Sequence, residues 1–144
     1  MMISDELVAA ALLQYLYSLP TLLAALPEGK SGIHEYDWQG ENFKYPCVRF
    51  KLGTQSPQPD ETDCSIYRQN FSLIVYSEQK SSKEANQIMG IINAIIHKTN
   101  FDSGMVRFAY IHIDSLIPAM RKDVMTWQAE TRYHTIIHKT TDTY

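Results

Sequence analysis

The stretch that decides the fold runs from Tyr67 to Asn100 and is YRQNFSLIVYSEQKSSKEANQIMGIINAIIHKTN. Between Tyr67 and Glu78, apolar and polar residues alternate, which predicts a strand. Its buried face is predicted to carry Tyr67, Phe71, Leu73 and Val75. Apolar residues also stand on the opposite face at Ile74 and Tyr76, so we expect the end of this strand to be covered on both sides.

The second half of the stretch has the period of a helix. Ser81 and Glu84 have the spacing of a capping box, which predicts where the first turn begins. Apolar residues then recur along one helical stripe, at Ala85, Ile88, Met89, Ile92, Ile95 and Ile96. Such a helix needs an apolar sheet to pack on, and the preceding strand is the nearest part of one.

The composition is typical of one soluble globular domain spanning 1–144, with 44% apolar and 20% charged residues. A formal net charge of −3 argues against a surface that grips nucleic acid or anionic lipid. Cys47 and Cys64 are too few for a disulfide framework and predict free thiols in a reducing compartment. Asp5 and Glu6 stand where a signal peptide carries positive charge, and no apolar run approaches about 18 residues, so we expect neither a signal peptide nor a membrane span.

Helix and strand signals continue on both sides of the central stretch. Ser4 is expected to cap a first helix that ends at Pro20, and Thr21 to cap a short second turn. Between Gly32 and Asn42 the alternation supports at most a short edge strand. Further strands are predicted at Tyr45–Leu52, Met105–Asp114 and Val124–Lys139.

These elements predict an α+β fold. Their order is α-β-β-α-β-β, with the strands in two antiparallel pairs. We therefore expect a single, mostly antiparallel sheet of about four strands, with the two main helices packed on one face.

Three features indicate contacts with a partner chain. The loop from Gly53 to Ser65 is long and acidic, so it is either a mobile tip or an arm that becomes ordered against a partner. The strand Met105–Asp114 has apolar residues on both faces, which predicts cover by the protein's own helices or by another subunit. The cationic turn Arg121-Lys122 is a candidate contact for the acidic loop. The candidate interface residues are Gln55, Asp60, Glu61, Asp63, Arg121, Lys122, Met105, Ile111 and Ile113.

No pattern in the chain points to catalysis or to metal binding. His134 and His138 on one strand would be about 13 Å apart by rise alone. His112 and Asp114 share a strand face, while His97 is expected in the last turn of its helix, where it can bond terminal carbonyls. The chain has no GxSxG motif, no glycine-rich phosphate loop and no CxxC pair. We predict no enzyme activity and no catalytic, cofactor-binding or metal-binding residues.

Several short segments of the sequence resemble segments of one family of proteins. They are YPCVRFKLG at 45–53, NFSLIVYSE at 70–78 and SSKEANQIMGIINAII at 81–96, preceded by an amphipathic helix with a leucine-rich end. From about Leu7 to Lys139 the chain resembles the tail-terminator and tail-completion (minor tail) proteins of long-tailed bacteriophages and prophages.

This resemblance implies a structural role in the virion, at the junction of tail and head, for a protein made in the host bacterial cytoplasm. Family members form homohexameric rings that cap the tail tube and then join it to the head, and they have no catalytic residues. The implied partners are further copies of the chain, the tail tube protein and a head-completion or neck protein. DNA would pass through the ring without sequence-specific binding, and no membrane is involved. Two alternatives remain, namely a head-completion or neck protein of the connector, and a small α+β enzyme or ligand-binding domain.

Overall fold

The computed structural model describes residues 3–27, 29–36, 45–57, 66–78, 81–103, 106–121 and 126–139. Within them lie three α-helices, α1 (Asp5–Tyr17), α2 (Pro20–Ala25) and α3 (Lys83–Ile96), and a 3₁₀ helix at Gly29–Gly32. The strands are β1 (Ile33–Glu35), β2 (Cys47–Pro57), β3 (Ile66–Ser77), β4 (Phe101–Ser103), β5 (Val106–Arg121) and β6 (Trp127–Lys139).

The six described strands form one mixed sheet that curls into a half-barrel. Their spatial order is β1-β2-β3-β6-β5-β4. Strand β1 pairs with β2 in parallel, and every other neighbouring pair is antiparallel. The helices pack on the sheet, and α3 contacts β3, β6 and β5.

The predicted sheet of about four antiparallel strands, in the order α-β-β-α-β-β with two main helices, is therefore wrong. Strands β1 and β4 have three residues each, which is too short for an alternation to be recognised. A short edge strand was expected near Ile33, but its parallel pairing with β2 leaves no mark in the sequence.

Strand β3 lies in the middle of the sheet, as its alternation predicts. Its core face is buried, and Gln69 lies on it beside the predicted apolar residues, at 1% exposure. Ile74 and Tyr76 are buried on the opposite face in a second small cluster with Cys47, so the predicted cover on both sides is confirmed. Arg49 on β2 is a further buried polar residue, at 5% exposure, and its Nη1 donates to the Val48 carbonyl at 3.0 Å.

Helix α3 is held to the sheet by its apolar stripe and by one buried polar side chain. Of the six stripe positions, five are buried and Ile95 is half-buried. Asn93 is also buried; its Nδ2 donates to Thr131 Oγ1 at 3.2 Å, and its Oδ1 accepts from the Tyr133 hydroxyl. Because both partners lie on β6, these bonds fix the helix along the sheet as well as against it.

The beginnings of the helices are only partly as predicted. Ser4 caps α1, and its hydroxyl accepts from the Leu7 amide at 3.3 Å. The predicted capping box at Ser81 is wrong: Ser82 is the N-cap without a side-chain bond, and Glu84 accepts from Ser77 Oγ at 2.6 Å. The predicted cap at Thr21 is also wrong, because α2 begins at Pro20, whose missing amide proton suits a first helical position.

Strand β5 departs most from its prediction. It runs to Arg121 instead of ending near Asp114. Between Ala109 and His112, three steps along β5 match two along β6, so one extra residue is inserted. Tyr110 at this bulge has a left-handed φ of 58° and is 54% exposed, whereas Ile111 is fully buried. The alternation that buries Val106 and Phe108 therefore ends at Tyr110, and Ile111 takes the next core position.

Replacing Ile92 by Ala should lower the free energy of unfolding by about 2–5 kcal/mol, because the side chain is fully buried and a cavity would remain. Ile91 is half-buried on the same helix and serves as the matched control. Ile91→Ala should cost clearly less. If denaturant melts showed an equal loss of unfolding free energy for the two variants, the orientation of α3 would be contradicted.

Stability should fall as the pH rises above about 10. Burial raises the pKa of Tyr15, Tyr133 and Tyr76, the last to about 12. A raised pKa means that the fold favours the neutral phenol, so this stability is complete below 10, the ordinary value, and is lost as the pH approaches about 12. Thermal melts from pH 8 to 12 measure the loss of stability. The absorbance of tyrosinate, recorded in parallel, measures the ionisation of the tyrosines.

Tyr76→Phe separates this effect from the titration of lysines. Its unfolding temperature should decline less steeply above pH 10 than that of the parent chain. Parallel declines for the two proteins would show that Tyr76 is not the source.

Candidate functional site

The distal half of β5 is unusually apolar for an exposed strand. We call Ser115–Arg121 the β5 arm. It contains five consecutive apolar residues, Leu116 to Met120, of which Leu116 is 53% and Met120 56% exposed. Runs of this length are rarely left in solvent, because they promote association. The arm is therefore the strongest candidate for a contact with another molecule.

The arm is exposed on both faces of the sheet. Leu116 lies opposite Thr131, which is buried on the core face of β6, whereas Met120 lies opposite Gln128 on the outer face. Two further register shifts, after Ile113 and after Ile117, produce this alternation. Pro118 falls within the last shift, where a missing amide proton does not interrupt the ladder.

One edge of the arm has little backbone pairing. On one side β5 pairs with β6 along its length, but on the other β4 reaches only Val106 to Phe108. Further along that edge, the Ala119 amide donates to Asn86 Oδ1 on α3 at 2.9 Å. No described strand pairs with the arm on this side. An apolar edge strand is a template onto which another chain can add.

A column of aromatic and imidazole rings lies on the outer face of β5 and β6. Tyr110 stacks on His112 with 5.0 Å between ring centroids, and His112 stacks on His134 at 5.4 Å. His134 Nδ1 bonds Asp114 Oδ1 at 2.6 Å, and Arg68 Nη2 lies 3.8 Å from the other oxygen of Asp114. These stacked rings and the Asp114 carboxylate form a polar surface next to the apolar β5 arm.

The histidines are placed for packing and hydrogen bonding. His97 Nδ1 accepts from the Ile113 amide at 3.4 Å, so it supports the edge of β5. Asp114 bonds His134 instead of converging with His112 on a common point. In the described ranges, no group of three or more His, Cys, Asp or Glu side chains is arranged to hold a metal ion.

A groove lies at the other edge of the sheet. It has a volume of about 450 Å³ and runs between the first turns of α1 and the strands β1 and β2. Its walls carry Asp5, Glu6, Ala9, Glu35, Tyr36 and Phe50. Lys51 Nζ lies 5.2 Å from the centroid of the Tyr36 ring. We call this the α1–β1 groove; its rim is acidic and part of its floor is apolar.

Of the residues predicted as an interface, the four that the structure describes, Gln55, Ile111, Ile113 and Arg121, do not lie together in one place. Ile111 is buried in the core of the chain and Ile113 is half-buried against it. Arg121 ends the β5 arm, with its guanidinium 5.3 Å from the centre of the Trp127 ring. Asp60, Glu61, Asp63, Lys122 and Met105 lie outside the described residues. Whether any of these positions meets a partner stays a prediction.

Gln55, another predicted interface residue, makes bonds within the chain. Its Oε1 accepts from the Ile3 amide at 2.9 Å, and its Nε2 donates to the Ile3 carbonyl at 2.9 Å. Nε2 also lies 3.0 Å from Gln69 Oε1. One side chain therefore ties the segment before α1 to the middle of the sheet.

The sequence prediction missed Leu116 and Met120. The run LIPAM was a usable signal, since five apolar residues lie immediately before a charged turn. The predicted strand ended at Asp114, because a proline within an apolar run predicts a break, whereas the bulge accommodates Pro118 within β5.

Comparison with known proteins identifies the fold. No protein-family model and no curated protein sequence matches the chain. Among solved structures, a chain from the virion of the native gene transfer agent particle aligns with a TM-score of 0.67 at 11% identity, covering 91% of this chain and 94% of that one. This chain shares the fold of a virion protein. A second solved structure aligns with a TM-score of 0.60 at 16% identity, covering 99% of this chain and 100% of the other.

Both alignments span nearly the whole of each chain, so the half-barrel with its helices is shared as a unit. At these sequence identities the similarity shows a shared fold only. It assigns no functional residue to this chain. Among the described residues, no helix combines the length and hydropathy needed to cross a bilayer.

Gln55→Ala should lower the free energy of unfolding by about 1–3 kcal/mol, because the backbone of Ile3 and the side chain of Gln69 would lose partners in a partly buried site. Ser56→Ala, at the adjacent exposed position of β2, is the control and should change stability by less than about 0.5 kcal/mol. Urea melts compare the two. A Gln55→Ala protein as stable as the control would mean that the hydrogen bonds of Gln55 do not stabilise the packing of α1.

Proposed function

We propose that this chain is a structural protein of a phage-type virion, a tail terminator that caps the completed tail tube as a ring and contributes to the junction with the head. The observation that carries the proposal is the shared fold, a TM-score of 0.67 over 91% of the chain, with a protein of the gene transfer agent virion. The sequence resemblance to tail-terminator and tail-completion proteins points the same way.

The surface of the chain suits a subunit of an assembly. A monomer gains nothing from an exposed apolar strand with a thinly paired edge, because such an edge favours aggregation. A ring subunit needs surface of this kind, since it must bury area against a neighbour on each side. The β5 arm at one edge of the sheet and the α1–β1 groove at the other supply two different surfaces for these contacts.

The charge of the chain also suits a ring through which DNA passes. Affinity for duplex DNA rises with each Lys or Arg set against a phosphate. A chain with a net charge of −3 attracts the duplex less than a basic chain would, which suits passage without retention. The proposed partners are further copies of this chain, in a hexamer, the tail tube protein, and a head-completion or neck protein.

Tube capping tests the proposal directly. Tail tubes assembled from the tube protein of the same genome would be mixed with the purified chain and examined by negative-stain and cryo-electron microscopy. The expected result is ring-shaped density at one end of the tube and an end to further growth there. Binding to connector particles instead, with bare tube ends, would replace the proposal by the neck-protein alternative.

The acidic loop, whose first five residues, Gly53 to Pro57, belong to β2, is proposed to contact the tube or a neighbouring subunit. The triple variant Asp60→Asn, Glu61→Gln and Asp63→Asn removes its charge without changing its length. It should melt at the temperature of the parent chain. It should cap tubes less efficiently, because up to about 1 kcal/mol of binding free energy is lost for each exposed ion pair.

Glu78→Gln is the control, because it neutralises an exposed carboxylate directly after β3. This variant should cap tubes normally. Raising the salt concentration should weaken capping by the parent chain more than capping by the triple variant. A triple variant with the capping efficiency and salt dependence of the parent would remove the loop from the interface.

A further inference from the structure

The β5 arm and the α1–β1 groove have complementary chemistry. The arm presents Leu116 on one face and Met120 on the other, and its last residue is the cation Arg121. The groove has two walls, one from α1 and one from β1 and β2. An apolar strand exposed on both faces is best covered by a cleft with two walls, because a flat surface would bury only one of its faces.

The charges of the two surfaces are opposite. The rim of the groove carries Asp5, Glu6 and Glu35, while Lys51 lies over the Tyr36 ring. Arg121 would approach this rim if the apolar part of the arm entered the groove. Exposed pairs of this kind are worth at most about 1 kcal/mol each, so they set orientation, and the apolar contacts carry most of the affinity.

The positions of the two surfaces determine how copies of the chain can meet. The groove lies at the β1 edge of the sheet, and the arm belongs to β5 near the opposite edge. One chain therefore presents a different surface at each edge, and the contact between two copies is heterologous. Repeated contacts of this type generate a ring when the rotation between neighbours closes.

We propose that the β5 arm of one copy seats in the α1–β1 groove of the next copy, with Met120 and Leu116 against its two walls and Arg121 at its acidic rim. The occupant of the groove is thus a second copy of this chain. This inference rests on the proposed ring, and it specifies the surfaces that would form it.

Cross-linking between two different proteins, each with one accessible cysteine, tests this arrangement. Both proteins carry Cys64→Ser to remove the second native thiol, while Cys47 is buried and stays. One carries Glu35→Cys at the groove rim and the other Met120→Cys on the arm; both positions are exposed. After mixing and treatment with a short bis-maleimide, the expected product is a dimer containing one chain of each kind.

A control mixture measures the yield of cross-linked dimer that arises from random collisions. Thr21→Cys is exposed on α2, away from the groove lining, and replaces Glu35→Cys in the control mixture. The yield with Glu35→Cys should exceed the control yield roughly tenfold, as expected for a contact favoured by about 1.4 kcal/mol. Equal yields in the two mixtures would overturn the inference. So would a Met120→Cys protein that cross-links to itself as readily as to Glu35→Cys, because that result indicates contact between two arms.

Charged substitutions on the arm supply an independent readout. Leu116→Asp and Met120→Asp should each weaken self-association roughly tenfold or more, because a carboxylate would have to enter an apolar cleft. Gln87→Asp on the exposed face of α3 is the control and should associate normally. Sedimentation velocity at several concentrations gives the association constant, and thermal melts verify that each variant is folded.

The outcomes separate this inference from the proposed function. Rings that form and cap tubes even when Leu116 and Met120 are both replaced by Asp would overturn the inference and leave the tail-terminator proposal intact. A parent chain that neither associates at any concentration nor binds tube ends would overturn both.

Discussion

The backbone of Tyr110 determines the direction of the next side chains of β5, as far as the second register shift after Ile113. Its left-handed φ of 58° inserts one extra residue opposite β6 and turns Ile111 into the core, where simple alternation would have placed Tyr110. A left-handed conformation costs a non-glycine residue about 1–2 kcal/mol. The Tyr110 amide offsets part of this cost by donating to Asn100 Oδ1 at 2.7 Å, and its ring stacks on His112.

Two consequences follow from this bulge. Ile111 joins Val106 and Phe108 in one core, so a strand that looked apolar on two faces has a single buried face here. The backbone of Ile111 also pairs with the segment after α3: Lys98 donates to the Ile111 carbonyl at 2.6 Å, and the Ile111 amide donates to the Thr99 carbonyl at 3.0 Å. Beyond this anchor the strand continues beside α3, where the Ala119 amide donates to Asn86, and Leu116 and Met120 remain exposed.

The sequence predicts the long periodic elements and misses the features that depend on tertiary context. Helix α3 and strand β3 have twelve or more residues each, enough for their period to be recognised, and their faces are as predicted. Strands β1 and β4 have three residues, and their pairing comes from neighbours distant in sequence. Buried polar side chains are missed for a related reason: Asn93 and Gln69 are acceptable in the interior because of specific partners on other elements. The exposed arm was missed because a proline within an apolar run predicts a break, and a bulge can accommodate it instead.

In the proposed ring, the β5 arm is covered when copies of the chain assemble. Hydrogen–deuterium exchange, comparing the dilute chain with the chain assembled at high concentration or on tail tubes, measures this cover directly. The account predicts that on assembly the amides of Ser115–Arg121 and of β1 exchange more slowly, while those of α3, already protected in the single chain, change little. Unchanged exchange along the arm, with new protection on the exposed face of α3 or elsewhere, would contradict it.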